Sequence, residues 1–220
     1  MKILNEDRIV FIGDSITDNE RGRPIGDGFG LGFVGYVRQV DTLLKVIYPD
    51  MLFDVVNMGN VGDTTRELLA RWQTDVLDQK PDVVCVLVGT NDCWRIVDCP
   101  ATKRLQVLPE EYEKNLREMI ARTKGKARDM IFMTPYLLEK NDDDSLKKLM
   151  TQYADIVKKV CKENDFLCID LQKYFDEFMK YRYGGQISWD RVHPSWIGGM
   201  IIAKAFLEGI DSDRHFLNLK

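Results

Sequence analysis

Five short apolar runs recur along the chain: RIVFI (8–12), FDVVNM (53–58), VVCVLV (83–88), MIFMT (130–134) and FLCID (166–170). Successive strand residues point to opposite faces, so runs this continuously apolar and β-branched need cover on both sides. Amphipathic stretches at about 33–48, 64–79, 109–124 and 143–164 separate the runs. Two more, near 171–182 and 195–209, follow the last. Within 64–79 the residues Leu68, Leu69, Trp72, Val76 and Leu77 keep the i, i+3/i+4 rhythm of a one-faced helix. Strands alternating with helices require right-handed crossovers, which yields an α/β fold with a parallel sheet between helical layers. No internal repeat, low-complexity tract or linker interrupts the pattern, so one domain over 1–220 is expected.

Composition narrows the function classes. The 220 residues carry a net charge of −4, which speaks against nucleic acid or an anionic membrane as the main partner. No apolar run approaches the roughly 18 residues of a transmembrane helix. The opening MKILNEDRIVFIGDS is broken by Asn5, Glu6, Asp7 and Arg8 before any signal-type apolar stretch can form. Five cysteines cannot all pair, and none forms a CxxC unit. Cys85 and Cys168 sit inside strand runs and are expected to be buried, while Cys93 and Cys99 lack a nearby histidine for zinc. A reduced, cytoplasmic protein with no metal and no cofactor is the expectation.

In an open parallel sheet, ligands gather beyond the carboxyl ends of the strands, so the residues following each run carry the chemistry. After the first run stands GDSITD, with Ser15 at the sheet edge; after the second, NMGNVGDTT, where Gly59 and Gly62 bring bare backbone to the same edge. After the third stands GTND, whose Asn91 can close an Asx turn or offer an amide donor. One of only two histidines, His193, follows Asp190 by three residues in WDRVHPSWIGG. Each feature alone is ordinary turn or capping chemistry. Together they supply acyl transfer: a hydroxyl nucleophile, a base to take its proton, and a carboxylate to hold and stabilise that base. The backbone N–H of Ser15, the backbone N–H of Gly62 and the side-chain amide of Asn91 are candidate donors to the oxyanion.

With these four blocks in order, at 13–15, 62, 89–92 and 190–194, the chain resembles the SGNH or GDSL hydrolases over nearly its whole length. The resemblance implies a flavodoxin-like three-layer α/β/α fold around a five-stranded parallel sheet. It implies Ser15 as nucleophile, His193 as base, Asp190 as orienting acid, and Ser15, Gly62 and Asn91 as the oxyanion hole. FIGDSITDNERGRP, GDGFGLGFVGYV, NDCWR and WDRVHPS are further similar to bacterial intracellular acetylxylan esterases, which deacetylate xylo-oligosaccharides. An acetylated carbohydrate is then the expected substrate, with Asp14, Arg21, Arg23, Trp94 and Trp189 as its expected contacts. Tryptophan faces stack on sugar rings, although tryptophan is as often a core or interface filler. The polar loop TDNERGRPIGDG (Thr17 to Gly28) offers little apolar area to a long acyl tail, which favours acetyl esters.

Three other readings compete with this one. GLGFVG (Gly30 to Gly35) matches a dinucleotide fingerprint, but about 17 residues separate it from the first strand, where that motif needs its glycines close by. A catalytically dead binding module would have no need of the complete set of chemical groups. Another esterase of the same family (lysophospholipase, thioesterase or aryl esterase) is the standing alternative, because triad and oxyanion hole do not encode the alcohol. Phe216, Leu217 and Leu219 near the C-terminus suggest a docking segment, and a homo-oligomer is expected.

Overall fold

Each of the five runs becomes a strand in the computed structural model, which describes residues 2–23 and 35–211. They are β1 (Arg8–Gly13), β2 (Asp54–Asn57), β3 (Val83–Leu87), β4 (Asp129–Met133) and β5 (Leu167–Ile169). All pair in parallel, in the order β2-β1-β3-β4-β5, with Phe11 of β1 opposite both Asn57 of β2 and Cys85 of β3. Both faces of the sheet are covered: Val10, Ile12, Val84, Val86 and Phe132 are buried between two layers of helices. Crossovers from β1 run outward to β2 and then back across β1 to β3. The chain reverses direction there, and loops from three strands meet at one edge.

The described residues also form α1 (Ser15–Asp18), α2 (Tyr36–Ile47), α3 (Thr65–Ala70), α4 (Trp72–Asp75) and α5 (Thr90–Asp98). After them come α6 (Pro109–Thr123), α7 (Ser145–Asn164), α8 (Leu171–Met179) and α9 (Trp196–Ile210). One layer groups α2, α8 and α9; the other groups α3, α5, α6 and α7. The expected three-layer arrangement is the one found.

Local differences from the expected pattern have physical causes. The helix read over 64–79 breaks at Arg71 (φ −104°, ψ 10°) into α3 and α4. Leu68, Trp72 and Val76 nonetheless keep a common buried face. A Thr64–Glu67 capping box starts α3, and the break aims the Arg71 side chain back toward the strand ends. GTND, whose Asn91 left an Asx turn open as one alternative, opens α5 behind Gly89. Cys168, expected to be buried, is only half-buried because β5 is an edge strand. Gly30 to Val34 of the glycine-rich stretch, and Phe216, Leu217 and Leu219, lie outside the described residues.

Candidate active site

Ser15 opens α1 immediately after β1, and Asp14 caps that turn, its Oδ1 accepting from the Ile16 N–H at 2.9 Å. The Ser15 Oγ lies 2.8 Å from His193 Nε2, across a sequence separation of 178 residues. On the other side of the ring, His193 Nδ1 is 2.5 Å from Asp190 Oδ2. The spacing of three is realised as a turn in which Asp190 Oδ1 accepts from the backbone N–H groups of Val192 (3.0 Å) and His193 (2.8 Å). The Ser188 hydroxyl donates to the same oxygen at 2.9 Å.

Arg191 occupies the left-handed region (φ 71°), which folds the turn tightly enough for Asp190 and His193 to converge. Residues beyond β4 hold it there. The Leu138 N–H donates to the Arg191 carbonyl (2.9 Å), the Tyr136 hydroxyl to the Val192 carbonyl (3.0 Å), and Arg191 pairs with Glu139 and Asp144.

Burial works against ionisation of Asp190, but hydrogen bonds from the His193 ring, two backbone N–H groups and Ser188 outweigh it. Its carboxyl is held below the usual carboxylate range. A charged Asp190 accepts a hydrogen bond from the Nδ1–H and so leaves the Nε2 lone pair facing the Ser15 hydroxyl.

Opposite the histidine, the Asn91 side-chain amide donates to the Asp63 carbonyl at 3.0 Å. That bond occupies one of its two hydrogens and fixes the direction of the other. Gly62 has φ +82°, and a Cβ built there meets nothing within 4 Å, so backbone conformation rather than space calls for glycine. At Gly59 the reverse holds: a Cβ would fall 2.2 Å from the Asp18 nitrogen of α1. Among the described residues, no acceptor is hydrogen-bonded to the amide of Ser15 or Gly62.

The expected substrate contacts are placed unequally. Trp94, one turn along α5 from Asn91, has its ring centre 6.3 Å from that of His193. Trp189 is 88% exposed beside Asp190 in sequence. Arg21 spends its Nε on the Gly59 carbonyl (2.7 Å), and Arg23 pairs with Asp18 at 2.6 Å, so both brace the loop around Gly59. Asp14 is buried and faces inward. Burial pushes its carboxyl up to about 7, against the lowering effects of the Ile16 N–H and His193, and its Oδ2 has no hydrogen-bond partner.

Three supporting residues were not foreseen. Asp63 holds the Asn91 amide, and Ser188 holds Asp190. Buried Asp92 accepts from the Thr65 N–H (3.0 Å) and hydroxyl (2.5 Å), tying α5 to α3; burial raises its carboxyl to about 7. Nothing in their local sequence distinguishes them from turn and cap residues.

A serine hydroxyl, an imidazole and a carboxylate in one hydrogen-bonded line are the groups that acyl transfer requires. The chain belongs to the GDSL-like lipase/acylhydrolase family, whose pattern matches residues 11–199. An acetylxylan esterase of Geobacillus stearothermophilus is 45% identical over 211 residues, 96% of either chain. The crystal structure of an acetylxylan esterase from that organism aligns with a TM-score of 0.93 and 44% identity, covering 96% of this chain and 97% of that one. Catalytic mutants of that enzyme, at a serine, an aspartate and a histidine, have been solved as well. An α/β hydrolase from the metagenome of Lake Arreo, Spain, is 39% identical with a TM-score of 0.92, covering 96% of this chain and 97% of that one.

Proposed function

We propose that this chain is a serine esterase that removes acetyl groups from acetylated xylo-oligosaccharides through an acetyl-enzyme. The observation that carries the chemistry is the continuous line from Ser15 Oγ through His193 to Asp190, at 2.8 and 2.5 Å. Similarity to an acetylxylan esterase over 96% of either chain carries the substrate class.

In this reading Ser15 Oγ attacks the acetyl carbonyl while its proton passes to His193 Nε2. The resulting imidazolium is stabilised by the Asp190 carboxylate. The tetrahedral oxyanion is received by the N–H groups of Ser15 and Gly62 and by the remaining amide hydrogen of Asn91. His193 then gives its proton to the departing sugar oxygen, and a water activated by the same imidazole releases acetate. Trp94, beside the His193 ring, is well placed to face the sugar; Asp14 acts through α1 rather than by touching substrate.

The test is acetate release from acetylated xylo-oligosaccharides together with a series of acyl esters of increasing length. Turnover is expected to be highest for acetyl and to fall steeply by butyrate or hexanoate. All of it should disappear in Ser15→Ala. Rates that climb toward octanoate, with acetylated sugars untouched, would instead point to a lysophospholipase or thioesterase.

The setting is inferred separately. Five free thiols fit a reducing compartment, which supports the cytoplasm. No helix among the described residues is long and apolar enough to cross a membrane. Tyr181, Tyr183, Trp189, Trp196 and Ile197 are large and exposed within one stretch of chain, which supports self-association. Light scattering that returns a monomer mass at micromolar concentration would refute that last inference.

A further inference from the structure

Arg71 stands at the break between α3 and α4, with its side chain only 17% exposed. Its guanidinium joins three pieces of chain: the end of β1, the loop after β2 and α4. Nε donates to Asp63 Oδ2 (2.6 Å), Nη1 to the Met58 carbonyl (2.6 Å) and Asp75 Oδ2 (2.8 Å), and Nη2 to the Gly13 carbonyl (3.0 Å). Gly13 ends β1 two residues before Ser15, and Met58 directly follows β2. Asp63 follows Gly62, and its own carbonyl receives the Asn91 amide at 3.0 Å. Asn60 closes the circuit, its N–H donating to the Gly13 carbonyl (3.0 Å) and its amide to Asp63 Oδ1 (2.7 Å). One rigid, planar cation therefore spans the strand end that precedes Ser15 and the loop that carries Gly62 and, through the Asp63 carbonyl, holds Asn91. The compact ammonium of a lysine cannot reproduce that fork.

We propose that Arg71 is a positioning residue for the esterase reaction: it sets the distance between Ser15 and the Gly62–Asn91 donor pair while touching neither substrate nor reacting atoms. This rests on the oxyanion hole assigned above. A displacement of about 1 Å in such a site costs up to roughly 10²-fold in rate. Donors that act chiefly on the transition state affect kcat more than KM.

The experiment is a double-mutant cycle on hydrolysis of p-nitrophenyl acetate, with Arg71→Lys, Asn91→Ala and the pair, each verified as folded by its thermal transition. Arg71→Lys is expected to lower kcat roughly 10- to 100-fold with KM changed by less than about threefold. In the Asn91→Ala background the same replacement should cost several-fold less than in the parent, because one of the two donors it positions is already gone and only Gly62 is left to misplace. Asp63→Asn, which weakens the same link from its other end, should repeat the pattern and serves where Arg71→Lys does not fold. Guanidinium added to Arg71→Ala should restore part of kcat, which a purely structural loss would not show. A folded Arg71→Lys with unchanged kcat, or losses that simply multiply in the double variant, would overturn the proposal. If Asn91→Ala were itself fully active, the assignment of the oxyanion hole would fail instead.

Discussion

At the scale of the residue, the site depends on two carboxyls held in opposite states. Asp190 is kept ionised by four hydrogen bonds, whereas burial pushes Asp14, one residue before Ser15, up to about 7. The charged partner is the one aligned with His193, the proposed base. His193→Ala is therefore expected to lower kcat by at least roughly 10³-fold, as removal of a triad member does. Asp190→Asn should also be strongly impaired, by about 10²- to 10⁴-fold, since the amide removes the charge that stabilises the imidazolium. Steady-state kinetics on p-nitrophenyl acetate decides both, and a fully active His193→Ala enzyme would remove the base assignment. That Ser15, Asp190 and His193 would meet was legible because their types are scarce and chemically specific: a chain with two histidines leaves few candidates for a base. Asp63 and Arg71 were not legible, because their work is defined by partners at Gly13, Met58 and Asn91 that only the fold brings near.

Among the elements, strands were easier to read than the helices that begin at the site. Apolar runs covered on both faces have few alternatives, and the strand ends moved by only a residue or so. By contrast α5 hides behind Gly-Thr-Asn-Asp, where turn-forming residues are retained because Asn91 and Asp92 are engaged in tertiary contacts. The break at Arg71 is equally silent, since the apolar face of 64–79 continues across it. The contact between the β2 loop and α1 gives the element-scale prediction. Gly59→Ala places a Cβ against the Asp18 backbone, so α1 must shift and take the Ser15 hydroxyl with it. A kcat loss of roughly 10-fold or more, with a lowered melting temperature, is expected on the scale of overpacking and misplacement. Wild-type kcat and melting temperature in this variant would show that the loop yields without disturbing the nucleophile.

For the whole molecule, the raised carboxyls of Asp14 and Asp92 bear on stability against pH. Both hold a proton up to about 7, whereas an unfolded aspartate releases it near 4. Between those values the native state binds more protons than the unfolded state. These groups therefore make stability fall as pH rises from about 4 to about 7. Asp92→Asn removes one of them, so its melting temperature relative to the parent should climb across that window, whatever constant offset the lost Thr65 contacts impose. A difference that stays flat with pH would mean that Asp92 is already ionised in the folded protein. The sheet order has a further consequence. In the proposed mechanism the nucleophile and oxyanion donors lie before residue 92 and the base at 193, with the exposed stretch Lys140–Asp143 between them. A nick in that stretch would divide the chemistry into two incompetent fragments, and acetate release would then report their reunion, making the enzyme a split reporter of its own assembly.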